Sequence, residues 1–328
     1  MARILLTQAI HPVAQARLAG LGEVLVAPDT SPDSLRRVAG GCAVVMVRAQ
    51  LPDDIFDAAP SLVGAVRHGA GVDMIPIAAA SRHGVLVANL PGANANAVAE
   101  HVLRNMLMLA RGSAPMATRL RARAAGWGHA RALADAGFEL KGRTAGLLGF
   151  GHVGQAIARI CRHGFSMNVL AHTRSRLSAS ITDARQVPLA ELLASSDFVV
   201  LACPLTDRTR GLIGATQLAA MRRGSYLINV ARGPVVVESA LVEALQSGHL
   251  AGAALDVFDA IPIPEPHPYW QMEQVIITPH LAGITEDSML AMGLVAAAAV
   301  EQLLRGEVPG NCINPQALPA FRRRFAGR

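Results

Sequence analysis

The sequence predicts an α/β protein built on two doubly wound parallel sheets, and two observations carry the prediction. Between Ala2 and Leu90 short apolar runs alternate with amphipathic stretches, and a second alternation runs from "RTAGLLGFG" to "VIITPH". Strands covered on both faces read as continuous apolar runs, and amphipathic segments between them read as the covering helices. With 328 residues at 52% hydrophobic content, the chain has enough material for a core in each unit.

The elements follow in order. "RILLT", "EVLVA", "CAVVMVR", "LVGAVR" and "VLVANL" are the strands of the first unit. From about Asn96 to Ala125 apolar periodicity runs through "AVAEHVLRNMLMLA", which predicts a long helix with Pro115 as its kink or break. "TAGLLG" opens the second unit, and the helix "HVGQAIARICRHG" follows it directly. A final helix, Asp287 to Arg305, can cross back to the first sheet. Neither a repeat of fixed period nor a low-complexity linker occurs, so the domain boundaries are expected in or beside the two long helices.

Composition excludes several classes. No apolar run reads as long enough for a bilayer, and "MARILLTQAIHP" lacks a signal peptide's apolar region, so a soluble, cytoplasmic protein with no membrane partner is expected. The net charge is +6, but basic residues cluster only at Arg119 to Arg131 and in "FRRRF", so no nucleic-acid partner is expected. Cys42, Cys161, Cys203 and Cys312 form no C-x-x-C pair; reduced, buried thiols are expected, with no disulfide and no metal. Lys141 is the only lysine, leaving arginine, a bidentate binder of carboxylates and phosphates, as the cation of choice.

The strongest local motif is Gly149-Phe150-Gly151-His152-Val153-Gly154, between a strand and a helix. In a dinucleotide fingerprint the first glycine makes the turn, the second admits the pyrophosphate and the third lets helix and strand pack closely. The phosphates sit on the helix N-terminus. The next strand ends in "NVLAHTRSR", where an enzyme for NAD carries an acidic residue for the ribose hydroxyl. Here stand His172, Thr173, Arg174 and Arg176. A 2′-phosphate is therefore expected, held mainly by Arg174 with Arg176 assisting: NADP is the preferred cofactor, with NAD possible.

A dinucleotide that delivers a hydride to a carbonyl works best beside a cation for a neighbouring negative group and an acid for the carbonyl oxygen. Arg232 in "NVARGP" can be the cation and His280 in "TPHLAG" the acid. "HGAGVD", from His68 to Asp73, predicts a glycine-rich turn at His68, Gly69, Ala70 and Gly71 whose amides can receive a carboxylate. Arg67 and His68 are expected to line the cleft, and Arg48 is a candidate for an anionic substrate tail.

"VRHGAGVDMIPI", "NANAVAEHVL", "LKGRTAGLLGFGHVGQAIA", "CPLTDRTRGLI", "GSYLINVARGPVV", "AGAALDVF" and "ITPHLAG" occur in the order seen in the D-isomer-specific 2-hydroxyacid dehydrogenases, a family this chain resembles along essentially its whole length. The resemblance implies a discontinuous flavodoxin-like substrate domain, residues 1–98 and 287–328, with an inserted Rossmann dinucleotide-binding domain, residues 99–286. It implies a homodimer, which the helix after Asn96 and the Trp127 arm can mediate, and a cleft between the domains as active site. Arg232 and His280 match its catalytic positions. Cys203, Pro204 and Thr209 resemble its loop over the cofactor, and Ala231 and Gly283 are further cofactor contacts. Asp256 resembles a contact on the nicotinamide side, with a buried structural carboxylate as the equal alternative.

One position departs from the family. Its catalytic Glu, which stands before a proline and raises the histidine's pKa, is matched by Ile261 before Pro262 in "LDVFDAIPIPEPHPYW". The prolines predict a stiff, extended loop. Glu265 lies four residues further on, which at ~3.3 Å per residue is roughly 13 Å along an extended chain; Asp259, two residues early, meets a similar difficulty. Three readings follow: an enzyme without the Glu, its histidine lower in pKa and its reductase activity shifted to acidic pH; a loop that folds back to bring Glu265 to His280; or a cofactor-binding, redox-sensing regulator with little catalysis. An active reductase of glyoxylate/hydroxypyruvate type is the expectation, with a small 2-oxo or 2-hydroxy acid as partner.

Overall fold

Five parallel strands form the first sheet, in the order β2-β1-β3-β4-β5: β1 (Ala2–Leu6), β2 (Gly22–Val26), β3 (Val44–Val47), β4 (Gly64–Arg67) and β5 (Leu86–Ala88). Side chains alternate between faces along each strand. Ile4, Leu6, Val44, Met46 and Val66 therefore pack on one side with helices α1 (Pro12–Ala19) and α11 (Glu286–Leu304). Leu5, Val45, Val47 and Ala65 pack on the other with α2 (Pro32–Ala39), α3 (Ile55–Ala58) and α4 (Ile77–Arg82). Each fully buried leucine or isoleucine contributes ~1.5–3 kcal/mol.

The computed structural model describes residues 1–113, 116–117, 127–178 and 180–326. They divide into two units, Met1–Asn94 with Ile284–Arg328, and Ala95–Gly283. The second unit holds seven parallel strands in the order β12-β11-β10-β9-β6-β7-β8. These are β6 (Thr144–Leu148), β7 (Asn168–His172), β8 (Arg185–Gln186), β9 (Phe198–Leu201), β10 (Tyr226–Asn229), β11 (Gly252–Leu255) and β12 (Val275–Ile277). The chain starts in the middle with β6, winds outward through β7 and β8, then returns to β9 on the other side, so the strand order reverses between β6 and β9. Helices α5 (Ala95–Ala110) and α7 (His152–Phe165) cover one face, and α8 (Leu189–Ser195), α9 (Ala215–Ala220) and α10 (Glu238–Gln246) the other. The doubly wound fold class expected from the apolar runs is the one observed.

Three expectations need correction. Helix α5 stops at Ala110, before Pro115, because Gly112 takes φ +56° and its amide turns back to the Leu109 carbonyl at 3.3 Å. The expected continuation to Ala125 lies largely outside the described residues, and α6 (Trp127–Asp135) follows. Secondly, α11 is by length and composition apolar enough to cross a membrane, against the expectation that no such run exists. Its Met292, Ala296, Ala297, Val300 and Leu303 are in the core of the first unit, and a Cβ at Gly293 would stand 2.5 Å from that of Ala14. Thr285 caps the helix, its hydroxyl accepting from the Ser288 amide at 3.1 Å. Thirdly, Cys42 and Cys161 are buried but Cys203 and Cys312 only partly so; all four are free thiols, and burial pushes Cys161 up to about 12.

Candidate functional site

Nearly every residue singled out in the sequence lies just past the carboxyl end of a strand. In the second sheet Gly149 follows β6, Arg174 follows β7, Cys203 follows β9, Arg232 follows β10, Asp256 follows β11 and His280 follows β12. In the first, Arg48 follows β3 and His68 follows β4. In parallel sheets this edge is where ligands are met, because the loops there precede helix N-termini.

The three glycines of the fingerprint do three different things. Gly149 sits at φ +100°, and a Cβ there would be 2.7 Å from the Ala202 backbone. Gly154 lies so close under the turn that a Cβ would meet the Gly149 carbonyl oxygen at 2.5 Å. Gly151, which opens α7, has nothing within 4 Å of that position. The first and third thus lock turn to helix, while the second leaves free space before the helix N-terminus. His152 is exposed and Val153 packs on the core. These residues fit a dinucleotide pyrophosphate.

Past β7 the chain bends around Gln186. Its Nε2 donates to the carbonyls of Thr173 and Ser175, both at 3.1 Å, and its Oε1 accepts from the Leu177 amide at 2.9 Å. Arg174 and Arg176 are exposed and form no hydrogen bond or ion pair among the described residues. After β9, Thr209 donates to the Pro204 carbonyl at 2.7 Å and accepts from the Thr206 amide at 2.8 Å, which closes the loop that Cys203 begins. Burial raises the Cys203 thiol's pKa.

Arg232 is half-buried at the end of a loop shaped by Asn229. The buried Asn229 amide accepts from the Ala231 N–H at 3.0 Å and donates to the Arg232 carbonyl at 3.1 Å. Arg232 itself donates from Nη1 to the Ala231 carbonyl at 2.7 Å. Gly233 then presses on the next loop: a Cβ there would lie 2.1 Å from the Phe258 carbonyl carbon.

His280 holds a left-handed backbone, φ +55°, which costs a non-glycine residue ~1–3 kcal/mol. Asp256 supplies the compensation. It is 2% exposed, its carboxylate accepts from the Leu281 and Ala282 amides at 2.9 Å each and from the Thr278 hydroxyl at 2.6 Å, and its carbonyl accepts from the His280 amide at 2.9 Å. Charge-assisted bonds of this kind are about twice as strong as neutral ones. Of the two readings of Asp256, the buried structural carboxylate matches this geometry. Gly283 ends the same loop. His101, from α5, sits 3.4 Å from Thr278 Oγ1 and 4.0 Å from Asp256 Oδ1; burial lowers its pKa, with Asp256 pulling the other way. Neither His101 nor Asn229 was singled out from the sequence. A lone histidine in an apolar helix and an asparagine ending a strand carry no motif of their own.

The proline segment corrects the Glu265 reading. Glu265 is exposed and makes no hydrogen bond or ion pair among the described residues, so it is not held against His280. The segment does not run straight either: Trp270 donates its indole N–H back to the Pro264 carbonyl at 3.3 Å. Its anchors are the buried Tyr269 and His267, whose Nε2 is 3.2 Å from Glu238 Oε1 on α10. Ile261 is 70% exposed. Burial, then Glu238, raises the carboxyl pKa of Asp259, with Arg210 opposing.

On the first sheet's edge, Arg67 braces the turn. Its guanidinium donates to the carbonyls of Gly71, Val47 and His68 at 3.0, 2.9 and 2.7 Å. Gly69 takes φ +149°, and Asn89 donates to the Ala70 carbonyl at 2.6 Å. Arg48 is half-buried, its guanidinium bonded to the Ala9 carbonyl, and burial lowers its pKa. His68 is 4% exposed, and its Nε2 has no hydrogen-bond partner among the described residues. Burial, then Arg48 and Arg67, lowers its pKa to about 4, so the ring is neutral at pH 7.

Residues 103–282 match the model of the D-isomer specific 2-hydroxyacid dehydrogenase NAD binding domain. The chain is 34% identical over 325 residues to a D-3-phosphoglycerate dehydrogenase of Methanocaldococcus jannaschii, covering 97% of this chain and 60% of that protein. A second such dehydrogenase, of Archaeoglobus fulgidus, is covered to 55%, so the chain spans little more than half the length of these relatives. It is 35% identical to the glyoxylate reductase of Pyrococcus furiosus, with 84% of this chain and 82% of that one covered. Among solved structures, an NADPH-dependent glyoxylate/hydroxypyruvate reductase of Sinorhizobium meliloti superposes with a TM-score of 0.82 at 28% identity, over 97% of this chain and 99% of that one.

Proposed function

The chain belongs to the D-isomer specific 2-hydroxyacid dehydrogenase family, and on that premise we propose that it reduces a small 2-oxo acid to the D-2-hydroxy acid, preferring NADPH, as a reductase of glyoxylate/hydroxypyruvate type. The observation that carries the reading is the gathering of the glycine cradle, Arg232 and His280 on the carboxyl edge of one parallel sheet. The dinucleotide, when bound, supplies the hydride. Gly149, Gly151 and Gly154 admit its pyrophosphate, and Arg174 with Arg176 binds the 2′-phosphate. Cys203, Pro204, Thr209, Ala231 and Gly283 complete the walls of its site. Arg232 holds the substrate carboxylate and polarises its carbonyl through a planar fork of donors. His280 delivers the proton to the carbonyl oxygen. The Gly69 amide donates to the Arg67 carbonyl at 2.9 Å, so the turn offers the Ala70 and Gly71 amides to the carboxylate, and Arg48 favours a polar or anionic tail. The protein acts as a cytoplasmic homodimer, for which Trp127, 69% exposed, supports an apolar contact.

A second reading, a dinucleotide-binding regulator with little turnover, is favoured by Ile261 at the family's Glu position and by Glu265's lack of a partner among the described residues. His280→Asn separates the two. It should bind NADPH as the parent does and lose about 10²-fold or more in turnover. Full turnover in this variant overturns the proton-donor role, and a parent that binds NADPH but reduces no 2-oxo acid leaves the regulator.

A further inference from the structure

Gln186 closes the two-residue edge strand β8, paired with Ala171 of β7. Its three polar contacts all reach across to the segment after β7, and they fall on alternate residues: Thr173, Ser175 and Leu177. A carbonyl can only accept and an amide N–H can only donate, so these partners also fix which end of the Gln186 amide is oxygen. Between the clamped residues stand Arg174 and Arg176, exposed and without partners among the described residues. Further contacts hold the strands on either side: the Gly149 amide donates to the His172 carbonyl at 2.9 Å, and His172 Nδ1 lies 3.1 Å from the Val187 carbonyl. Leu177 packs on the core, and among the described residues the hydrogen bonds to the backbone of residues 173–177 all come from this one side chain, which is bonded to neither glycine cradle nor reacting groups.

We infer that Gln186 is a positioning residue for cofactor choice: it folds residues 173–177 so that both guanidiniums present to one 2′-phosphate. This rests on the reading of Arg174 and Arg176 as phosphate ligands. A bidentate cation binds best when its fork is already placed, because ordering a long side chain and its backbone on binding subtracts from affinity. Without the clamp the two arginines remain, yet their loop is ordered only at the ligand's expense. NADH has no 2′-phosphate and gains nothing from the clamp.

The test measures NADPH and NADH dissociation constants by calorimetry on the full chain, for the parent, Gln186→Met and Arg174→Ala, with thermal unfolding of each without cofactor. Methionine keeps the length of the side chain and removes its amide. Expected are a loss of about tenfold in NADPH affinity for Gln186→Met, NADH affinity within about twofold of the parent, and a larger NADPH-only loss for Arg174→Ala. If Arg174→Ala loses NADPH affinity and Gln186→Met does not, the clamp is refuted while the phosphate reading stands. If both cofactors weaken equally in Gln186→Met, the residue supports only the sheet edge, and the inference is also overturned. Unchanged NADPH binding in Arg174→Ala removes the phosphate reading itself, and the inference with it.

Discussion

His68 should make the first unit acid-sensitive in a way one substitution removes. In the folded protein its pKa is lowered to about 4, first by burial and then by Arg48 and Arg67, whereas in the unfolded chain it titrates near 6.5. Between these values the unfolded state binds more protons, so stability is complete above pH 6.5 and declines as pH falls toward 4. At ~1.4 kcal/mol per tenfold change in proton affinity, the interval is worth ~3 kcal/mol. Other groups also titrate there, so the quantity to follow is the difference between the parent and His68→Gln. Both tryptophans lie in the second unit, so native-state hydrogen exchange of the β3 and β4 amides, corrected for intrinsic rates, is the suitable probe. The parent should lose ~2–3 kcal/mol more than the variant between pH 7.5 and 4.5. Parallel curves would show that His68 does not carry the proton linkage.

Other consequences are equally open to measurement. Asp256→Asn places an NH₂ against the Leu281 or Ala282 amide, and should lower stability by ~3 kcal/mol and slow turnover through the His280 loop; a variant with parental melting temperature and rate contradicts the positioning role. Gly151→Val meets open space, so it should keep the parental melting temperature and lose NADPH binding, whereas Gly149→Ala, at φ +100° and 2.7 Å from backbone, should destabilise by ~2 kcal/mol or more. Glu265→Gln should leave rate and pH profile unchanged, and a shifted profile would restore the folded-back carboxylate.

Much of the architecture could be read from local pattern. The strands of both sheets are covered on two faces, so their continuous apolar runs stand out, and the three glycines announce a turn whose close contacts only glycine permits. Contacts between distant residues were not legible. His101 and Thr278 are 177 positions apart, and nothing in either local stretch says that they meet over Asp256. Gln186 belongs to a strand of two residues, too short to show a period. The path of the proline segment depends on His267 reaching Glu238, a tertiary contact that overrides the extended chain its prolines suggest. Helix α5 has its stop signal in Gly112, three residues before Pro115, the more conspicuous helix breaker in the sequence.

The most direct test is the initial rate of NADPH oxidation with purified protein, against glyoxylate, hydroxypyruvate and a branched 2-oxo acid, repeated with NADH and across pH. The expected result is turnover of at least one acid, with kcat/KM about tenfold or more higher for NADPH than for NADH. Tight NADPH binding with no turnover of any acid would contradict it.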